Sequence, residues 1–343
     1  MFGLRSDGKK VKNMNIIDKA GPFFMPQRID AVNLIKIKIP CSPLDEFITK
    51  ERRAGVSYSY MHIIFATIVR MLYTRKKMNR FIMRGTTYQR NYISISMDIK
   101  KKLEDEGENV TVKFLFTGKE SLDEIKQIID EEIAKNVAEN NIDSTTKVAG
   151  KLCHLPDFMF RWFMAIARWL DKHGMLPKAL IKASPFHTSC FITNLKSIKL
   201  PYIFHHLYNF GTTSIFVSMG KERMEPYVEN NKELKIGKFI TLGFTLDERI
   251  ADGLYMSKTL KLCKDILSNP ESLLTKMPDD GTIPKSIHKK KAKKVKKVKS
   301  TTKKTKTEKP KKIKPLKNKI KLDNKLKKHK ENLEKASKEK NEQ

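Results

Sequence analysis

The feature that most constrains this chain is an abrupt change of composition near Pro284. Beyond it, residues 285–343 contain 26 lysines against 6 acidic residues, with no aromatic residue and no arginine. Such a segment cannot bury enough apolar surface to offset its chain entropy, so we predict that it is disordered. The preceding residues carry +12 of the net charge of +32 and have the composition of a globular protein. We therefore predict three regions: a basic N-terminal arm (1–20), one folded domain (21–278) and a lysine-rich tail (279–343).

Within the folded region, short strands alternate with amphipathic helices. Alternation of polar and apolar residues, or enrichment in β-branched and aromatic residues, predicts strands over 33–39, 92–99, 110–116, 189–195, 214–219 and 238–246. Apolar residues three and four apart, together with capping residues, predict helices over 42–55, 60–73, from Ser121 onward, and over 253–267. This order predicts an α/β fold: a two-layer sandwich of a mixed β-sheet and helices.

The composition excludes several classes of protein. The four cysteines are far apart and form no CxxC motif, which indicates small buried hydrophobic residues in a reducing cytoplasm. The first residues lack the apolar core of a signal peptide, and no stretch is long and apolar enough to span a bilayer, so we expect a soluble protein. There is no glycine-rich phosphate loop and no metal-ligand motif. Nucleotide hydrolysis and metal catalysis are therefore disfavoured.

Two segments resemble the catalytic domain of the 2-oxo acid dehydrogenase acyltransferases, the dihydrolipoyl acyltransferases. Residues 241–274, TLGFTLDERIADGLYMSKTLKLCKDILSNPESLL, resemble that family's final strand, its Asp-His-Arg-x-x-Asp-Gly turn and its last helix. Residues 189–198, SCFITNLKSI, resemble the strand and turn that carry the family's active-site serine. Together with opening elements, the resemblance covers roughly residues 21–278. It implies a chloramphenicol-acetyltransferase-like fold.

The resemblance also implies a reaction. In the family, a histidine takes the proton from an acceptor thiol or hydroxyl, which attacks a thioester carbonyl, and a serine hydroxyl stabilises the oxyanion across a subunit boundary. The chain is then expected to be a homotrimer, or a multiple of trimers, that uses a coenzyme A thioester as substrate. Thr193 stands at the position of the serine, where its hydroxyl can donate the same hydrogen bond, or where it packs as an ordinary β-branched strand residue.

The main departure from the family is Glu248, which stands where the family has its catalytic histidine. A free glutamate is a weaker base than histidine by ~2 pKa units, and it repels a forming thiolate. Burial beside apolar groups raises the basicity of a carboxylate, which would restore catalysis. Alternatively, Glu248 forms a salt bridge with Arg249 or Arg28 and the chain is a catalytically inactive trimer that binds a thioester or a partner protein.

Other residues bear on the same reaction. His187 is a candidate substitute base on the segment that leads to Thr193, and His205 and His206 are weaker candidates, although all three are more typical of structural residues. Asp252 is expected to support the loop rather than perform chemistry. The tripeptide around Lys19, Asp-Lys-Ala, matches a lipoyl-attachment motif, but too few residues precede it to build that domain, so we predict no covalent lipoyl group.

Two regions have little counterpart in the family. In residues 155–181 the large apolar side chains fall on one broad helical face, which predicts an amphipathic helix. This helix either packs over the core, lines an acyl channel, or lies on a membrane surface. The lysine-rich tail either binds polyanions such as nucleic acid or anionic lipid without sequence specificity, or only solubilises the protein.

Overall fold

The structure is a computed structural model that describes residues 5–101, 104, 109–137, 156–229 and 233–281. Its helices are α1 (Ile16–Phe24), α2 (Ser42–Arg53), α3 (Tyr60–Thr74), α4 (Leu122–Val137), α5 (Asp157–Lys172), α6 (Lys178–Ala183) and α7 (Gly253–Leu267). The strands are β1 (Gly8–Lys10), β2 (Val32–Pro40), β3 (Arg80–Met83), β4 (Thr86–Arg90), β5 (Ile93–Lys100), β6 (Asn109–Phe116), β7 (Cys190–Asn194), β8 (Ile215–Met219), β9 (Arg223–Val228) and β10 (Leu234–Asp247). Nearly all of the predicted tail lies outside the described residues.

The main sheet has seven strands and is mixed. Its order is β2-β10-β8-β7-β5-β6, and β9 pairs with the first half of β10. The two pairs that involve β7 are parallel and the others are antiparallel. Parallel neighbours need a long crossover connection. Helices α4, α5 and α6 lie in the connection from β5 to β7, whereas the largely irregular segment 195–214 connects β7 to β8. The predicted fold class, an α/β sandwich of a mixed sheet and helices, is confirmed.

The helices α2, α3, α4 and α7 cover one face of this sheet and enclose the hydrophobic core. Helix α3 contacts both α4 and α7 and is buried along almost its whole length. Phe65 of α3 packs edge-to-face on Phe114 of β6, with ring centroids 5.3 Å apart. The opposite face is covered by the irregular segment before β8, where Leu207 packs on Phe191 and Phe216.

The N-terminal region differs from the predicted arm. Strand β1 pairs with β4, which pairs with β3, and the three strands form a second sheet. Arg5 and Asp7 are buried beside it. A three-residue strand such as β1 is too short for an alternating pattern to be recognised, so composition alone predicted a basic arm. Asn15 caps helix α1, because its side chain accepts a hydrogen bond from the backbone N–H of Asp18. Lys19 lies within this helix and not on a hairpin.

Several local predictions are confirmed. Ser121 and Glu124 form the predicted capping box at the start of α4, where each side chain accepts a hydrogen bond from the other's backbone N–H. The thiols of Cys41, Cys190 and Cys263 are free and buried, whereas Cys153 lies outside the described residues. Among the helices that the structure describes, none is long and apolar enough to cross a membrane.

Candidate active site

The turn that follows β10 is held rigidly by a buried ion pair. Asp247 is fully buried, and its two carboxylate oxygens accept hydrogen bonds from Nε and Nη2 of Arg249 at 2.8 and 2.7 Å. The same carboxylate accepts from the Arg249 backbone N–H at 3.1 Å. Arg249 also donates from Nη1 to the carbonyl oxygen of Met25 at 2.7 Å. Bidentate arginine–carboxylate pairs fix both partners in orientation, so the residue between them has a defined position.

That residue is Glu248, and its side chain is exposed. Within the described part of the chain it has no ion pair or hydrogen bond, so neither of the predicted salt bridges forms. Arg249 binds Asp247 instead. Arg28 is buried and donates to three backbone carbonyls in the segment 208–211, at 2.7 to 3.1 Å. Burial lowers the pKa of Arg28 to about 10. In a single protomer, Glu248 is therefore presented to solvent.

Thr193 lies near the end of β7 and is half-buried. Strand β7 runs parallel to β8, and Thr193 aligns with Ser218. Among the described residues its hydroxyl has no hydrogen-bond partner, unlike Thr188 on the same segment, which donates to the Ser94 carbonyl at 2.8 Å. A free hydroxyl at a strand end can donate to a bound oxyanion, so both uses predicted for Thr193 remain open.

Thr193 and Glu248 of one chain do not meet. Ser218, the partner of Thr193, aligns in turn with Gly243 of β10, and Glu248 lies five residues further along. Strand geometry makes this roughly 16 Å along β10 and about 10 Å across the two strand spacings. A reaction that uses both residues therefore requires them to come from different protomers.

Asp252 has a capping role at the start of α7. Its carboxylate accepts a hydrogen bond from the Tyr255 backbone N–H at 2.8 Å and lies 3.6 Å from Nζ of Lys77. The hydrogen bond from Tyr255, together with the charge of Lys77, lowers the pKa of Asp252. Asp252 lies four residues after Glu248 and connects the turn to the following helix. Its geometry suits a supporting role, which stays a prediction.

His187 is fully buried and belongs to an internal cluster. Its Nδ1 lies 2.8 Å from the Ser184 hydroxyl, and its Nε2 lies 3.2 Å from the Asp171 carboxylate. Burial lowers the pKa of His187 in spite of the nearby Asp171 and Asp7. Since the ring has no access to solvent, this position argues against the predicted use of His187 as a substitute base. Sequence spacing placed it near Thr193 but gave no information on which way the ring would face.

The remaining candidate histidines also make structural contacts. The His205 ring stacks on Phe216, with centroids 4.3 Å apart, and His206 packs edge-to-face on Tyr208. These contacts agree with the structural interpretation of both side chains.

The sequence did not predict a basic cavity that lies between α1, the β3–β4 turn and the C-terminal end of α5. Its volume is about 780 Å³. Arginine and lysine side chains dominate its charge: Arg28, Arg84, Arg168, Lys172 and Arg249 line it, against the single acid Asp171. Arg28 and Arg249 already bind backbone carbonyls and Asp247, which leaves Arg84, Arg168 and Lys172 to contact an anionic ligand in the cavity. These cations lie far apart in sequence, and only the folded chain brings them together.

One segment of the chain that contains both Thr193 and Glu248 matches a known protein family. Residues 188–275 match the family model of the 2-oxoacid dehydrogenases acyltransferase (catalytic domain). The predicted resemblance to this family is confirmed over that segment, which includes Thr193, Glu248 and Asp252. No curated protein matches the chain.

Solved structures of similar proteins include the cubic core of the pyruvate dehydrogenase multienzyme complex, at 13% identity and TM-score 0.49, covering 78% of this chain and 94% of the other. A probable dihydrolipoamide acetyltransferase from Listeria monocytogenes is 14% identical, with TM-score 0.47 and coverage of 76% and 94%. A chloramphenicol acetyltransferase is 13% identical, with TM-score 0.47 and coverage of 76% and 99%.

Proposed function

We propose that the chain is an acyltransferase of the 2-oxo acid dehydrogenase type, which moves an acyl group between a coenzyme A or carrier thioester and a thiol or hydroxyl acceptor. The observation that carries this proposal is the match over residues 188–275, because one continuous segment supplies both candidate groups. The free thiols of the core favour a reducing compartment, so the reaction is assigned to the cytoplasm.

In this mechanism Glu248 is the base and Thr193 the oxyanion donor. The carboxylate takes the proton from the acceptor, whose sulfur or oxygen forms a bond to the thioester carbonyl carbon. The Thr193 hydroxyl donates a hydrogen bond to the carbonyl oxygen as it becomes an oxyanion. Collapse of the intermediate breaks the carbon–sulfur bond of the thioester, and the departing thiolate receives the proton back from Glu248. The pair of Asp247 and Arg249 holds the base in place throughout.

The proposed working unit is a homotrimer or a multiple of it. Two features support it: the separation of Thr193 from Glu248 within one protomer, and the exposure of the Glu248 carboxylate. A third is the ribbon formed by β9 and the first half of β10, which exposes Met224, Val228, Leu234 and Ile236 by 66 to 74%. Exposed apolar surface of this kind commonly marks an interface between chains.

The basic cavity is proposed to hold the phosphate groups of coenzyme A. Arg84 is suited to a test because it is exposed and has φ of 50°, a conformation that asparagine also tolerates. Arg84→Asn is expected to raise KM for acetyl-coenzyme A while leaving KM for acetyl-pantetheine, which lacks the nucleotide phosphates, unchanged. An equal effect on both thioesters would contradict this assignment.

The function is tested by turnover of acetyl-coenzyme A with thiol and hydroxyl acceptors, using the full chain. Glu248→Gln is expected to lower kcat by roughly 100- to 10,000-fold, because it removes a general base. Thr193→Val is expected to lower it by roughly 100- to 1,000-fold, because it removes the hydroxyl at constant shape. Glu46→Gln, at an exposed position on α2, is the matched control and should retain activity.

Coexpression of the two inactive variants tests the shared site. In a mixed trimer, a site that takes Thr193 from a Glu248→Gln protomer and Glu248 from a Thr193→Val protomer is intact. Random assembly gives about one quarter of such sites, so about one quarter of wild-type activity should return. Complete inactivity of the mixture would argue against a site formed by two protomers.

A second candidate function is a catalytically inactive trimer of the same fold, which binds an acyl thioester or a partner protein while its tail contacts polyanions. The replacement of histidine by Glu248 favours it. Calorimetry distinguishes the two: binding of acetyl-coenzyme A without turnover, unchanged by Glu248→Gln, would support this function and exclude the catalytic one.

A further inference from the structure

The outward surface of α5 is unusually apolar. Five neighbouring side chains on it are exposed: Phe158 by 70%, Met159 by 42%, Trp162 by 70%, Ile166 by 36% and Trp169 by 50%. We call these five residues the exposed apolar face. The chain has only two tryptophans, and both lie on this face. Tryptophan side chains carry the largest apolar area of any residue, so their exposure on one helix calls for a partner.

The helix is divided into three sectors. At about 100° per residue, the exposed apolar face covers an arc of roughly 100°. The sector opposite contacts the protein body through Ala167 and Asp171, which are buried. Between them lies a basic sector, where Arg161, Arg168 and Lys172 are exposed. The helix is therefore anchored on one side and presents adjacent apolar and cationic strips on the other.

Positive charge continues beyond the helix. Lys178 and Lys182 on α6 are exposed, and Leu180 between them is 39% exposed. Of the two acidic residues of α5, Asp171 faces inward and binds Arg5 and His187, whereas Asp157 is exposed in the first turn, so the exposed surface of the helix keeps a net positive charge from Arg161, Arg168 and Lys172. Adjacent apolar and cationic strips match a surface whose acyl chains lie beneath anionic headgroups, because long basic side chains reach the headgroups while the rings enter the apolar layer.

From this arrangement we propose that α5 is an in-plane membrane anchor, which binds the surface of a bilayer containing anionic phospholipids. The exposed apolar face inserts at the level of the headgroup boundary, where tryptophan is favoured, and Arg161, Arg168 and Lys172 contact lipid phosphates. The helix lies outside the matched acyltransferase segment, but Arg168 and Lys172 also line the basic cavity, so Arg161, which does not line it, is the cation that tests the lipid contact separately from the proposed reaction. The helix lies on the membrane and does not span it.

Tryptophan fluorescence provides the assay, because both tryptophans of the chain lie on α5 and their emission reports only on the surroundings of this helix. Vesicles of equal parts phosphatidylcholine and phosphatidylglycerol are expected to shift the tryptophan emission to the blue, and lipids with brominated acyl chains are expected to quench it. Vesicles of phosphatidylcholine alone should give a much weaker response. The lysine-rich tail can bind the same vesicles but carries no tryptophan, so sedimentation of the protein with vesicles without a change in emission would overturn the proposal.

Variants locate the contact. Phe158→Asp and Ile166→Asp keep both tryptophans and should weaken the vesicle-induced emission change by about tenfold or more, since each places a charge in the apolar layer. Arg161→Gln should weaken it by about fivefold. Leu254→Asp, at a 67% exposed apolar position on α7, is the matched control and should bind as wild type does. Circular dichroism confirms that each variant is folded.

Two further results would also overturn the proposal. If Phe158→Asp lowers the molecular mass measured by light scattering in the absence of lipid, a second copy of the chain covers this face. If Leu254→Asp weakens the emission change as much as Phe158→Asp does, the contact is not specific to α5.

Discussion

Asp7→Asn should destabilise the protein far more than an isosteric change at a short N-terminal strand normally would. Asp7 accepts hydrogen bonds from Nε and Nη2 of Arg5 at 2.8 and 3.1 Å and lies 3.9 Å from Nη1 of Arg90. All three side chains are almost inaccessible to solvent. With Asp7 neutral, Asp171 is the one remaining carboxylate of the described cluster against two buried guanidinium groups. Removing one partner of a buried pair costs about 3 to 5 kcal/mol.

The cost is fully present at neutral pH. Burial alone would raise the pKa of Asp7, but the hydrogen bonds and charge of Arg5 and the charge of Arg90 outweigh it and lower the pKa. The stabilisation from an acid with a lowered pKa is present above its unfolded value and is lost as the pH falls through the folded one. Measurements at pH 7 therefore capture it. For a domain of this size, 3 to 5 kcal/mol corresponds to a fall in Tm of about 6 to 10 °C.

Urea unfolding at fixed protein concentration measures this cost. Asp279→Asn is the matched control: it removes a carboxylate that pairs with Lys119 at the surface, where the side chain of Asp279 is 89% exposed, and should cost less than about 1 kcal/mol. Combining Asp7→Asn with Arg5→Met should recover part of the loss, because it removes the uncompensated charge. If Asp7→Asn and Asp279→Asn lower the free energy of unfolding equally, the buried cluster contributes no more to stability than a surface ion pair.

Two more predictions concern pH and backbone conformation. Because the pKa of His187 is lowered in the folded protein, the unfolded chain binds a proton that the folded chain does not, so stability should fall as the pH drops below about 6.5. His187→Gln should flatten this dependence in urea unfolding measured from pH 7 to 5, and an unchanged slope would contradict the assignment. Gly118→Ala should destabilise by more than about 1 kcal/mol, because φ is 97° and a Cβ would lie 2.4 Å from the Tyr73 ring. Gly253→Ala, where a Cβ meets nothing within 4 Å, should change Tm little, and equal effects would refute the steric argument.

Much of the main sheet could be predicted from the sequence, because its strands are long enough to show alternating polar and apolar residues or an enrichment in β-branched and aromatic residues. The predicted strand 238–246 is β10 (Leu234–Asp247), and the predicted helix 253–267 is α7 with the same bounds. The second sheet was missed because β1 and β3 have only three and four residues. Burial of Arg5 and Asp7 was also missed, since charged residues in a basic segment ordinarily indicate exposure.

Only part of the candidate site could be predicted, and that part came from the resemblance to the acyltransferase family. The resemblance identified Glu248 and Thr193 but not the pairing of Arg249 with Asp247, because two neighbouring acids compete for the same arginine and spacing does not choose between them. The inward orientation of His187 depends on Asp171, which is 16 positions earlier and belongs to another helix. Contacts of this kind are set by tertiary packing and leave no periodic signal.

The buried cluster and the exposed apolar face are linked through α5. Asp171 lies almost opposite the exposed tryptophans on the helix, and its contacts with Arg5 and His187 fix the rotation of α5 about its axis. A helix that served only to cover the core would gain stability by turning Trp162 and Trp169 inward, because their burial removes more apolar surface from water than that of any other residue. The chain instead directs a carboxylate inward, supplies it with buried partners, and leaves both tryptophans outside. Exposure of the two tryptophans to water is unfavourable, and contact of the exposed apolar face with an apolar partner removes that cost. In our proposal the partner is the lipid bilayer.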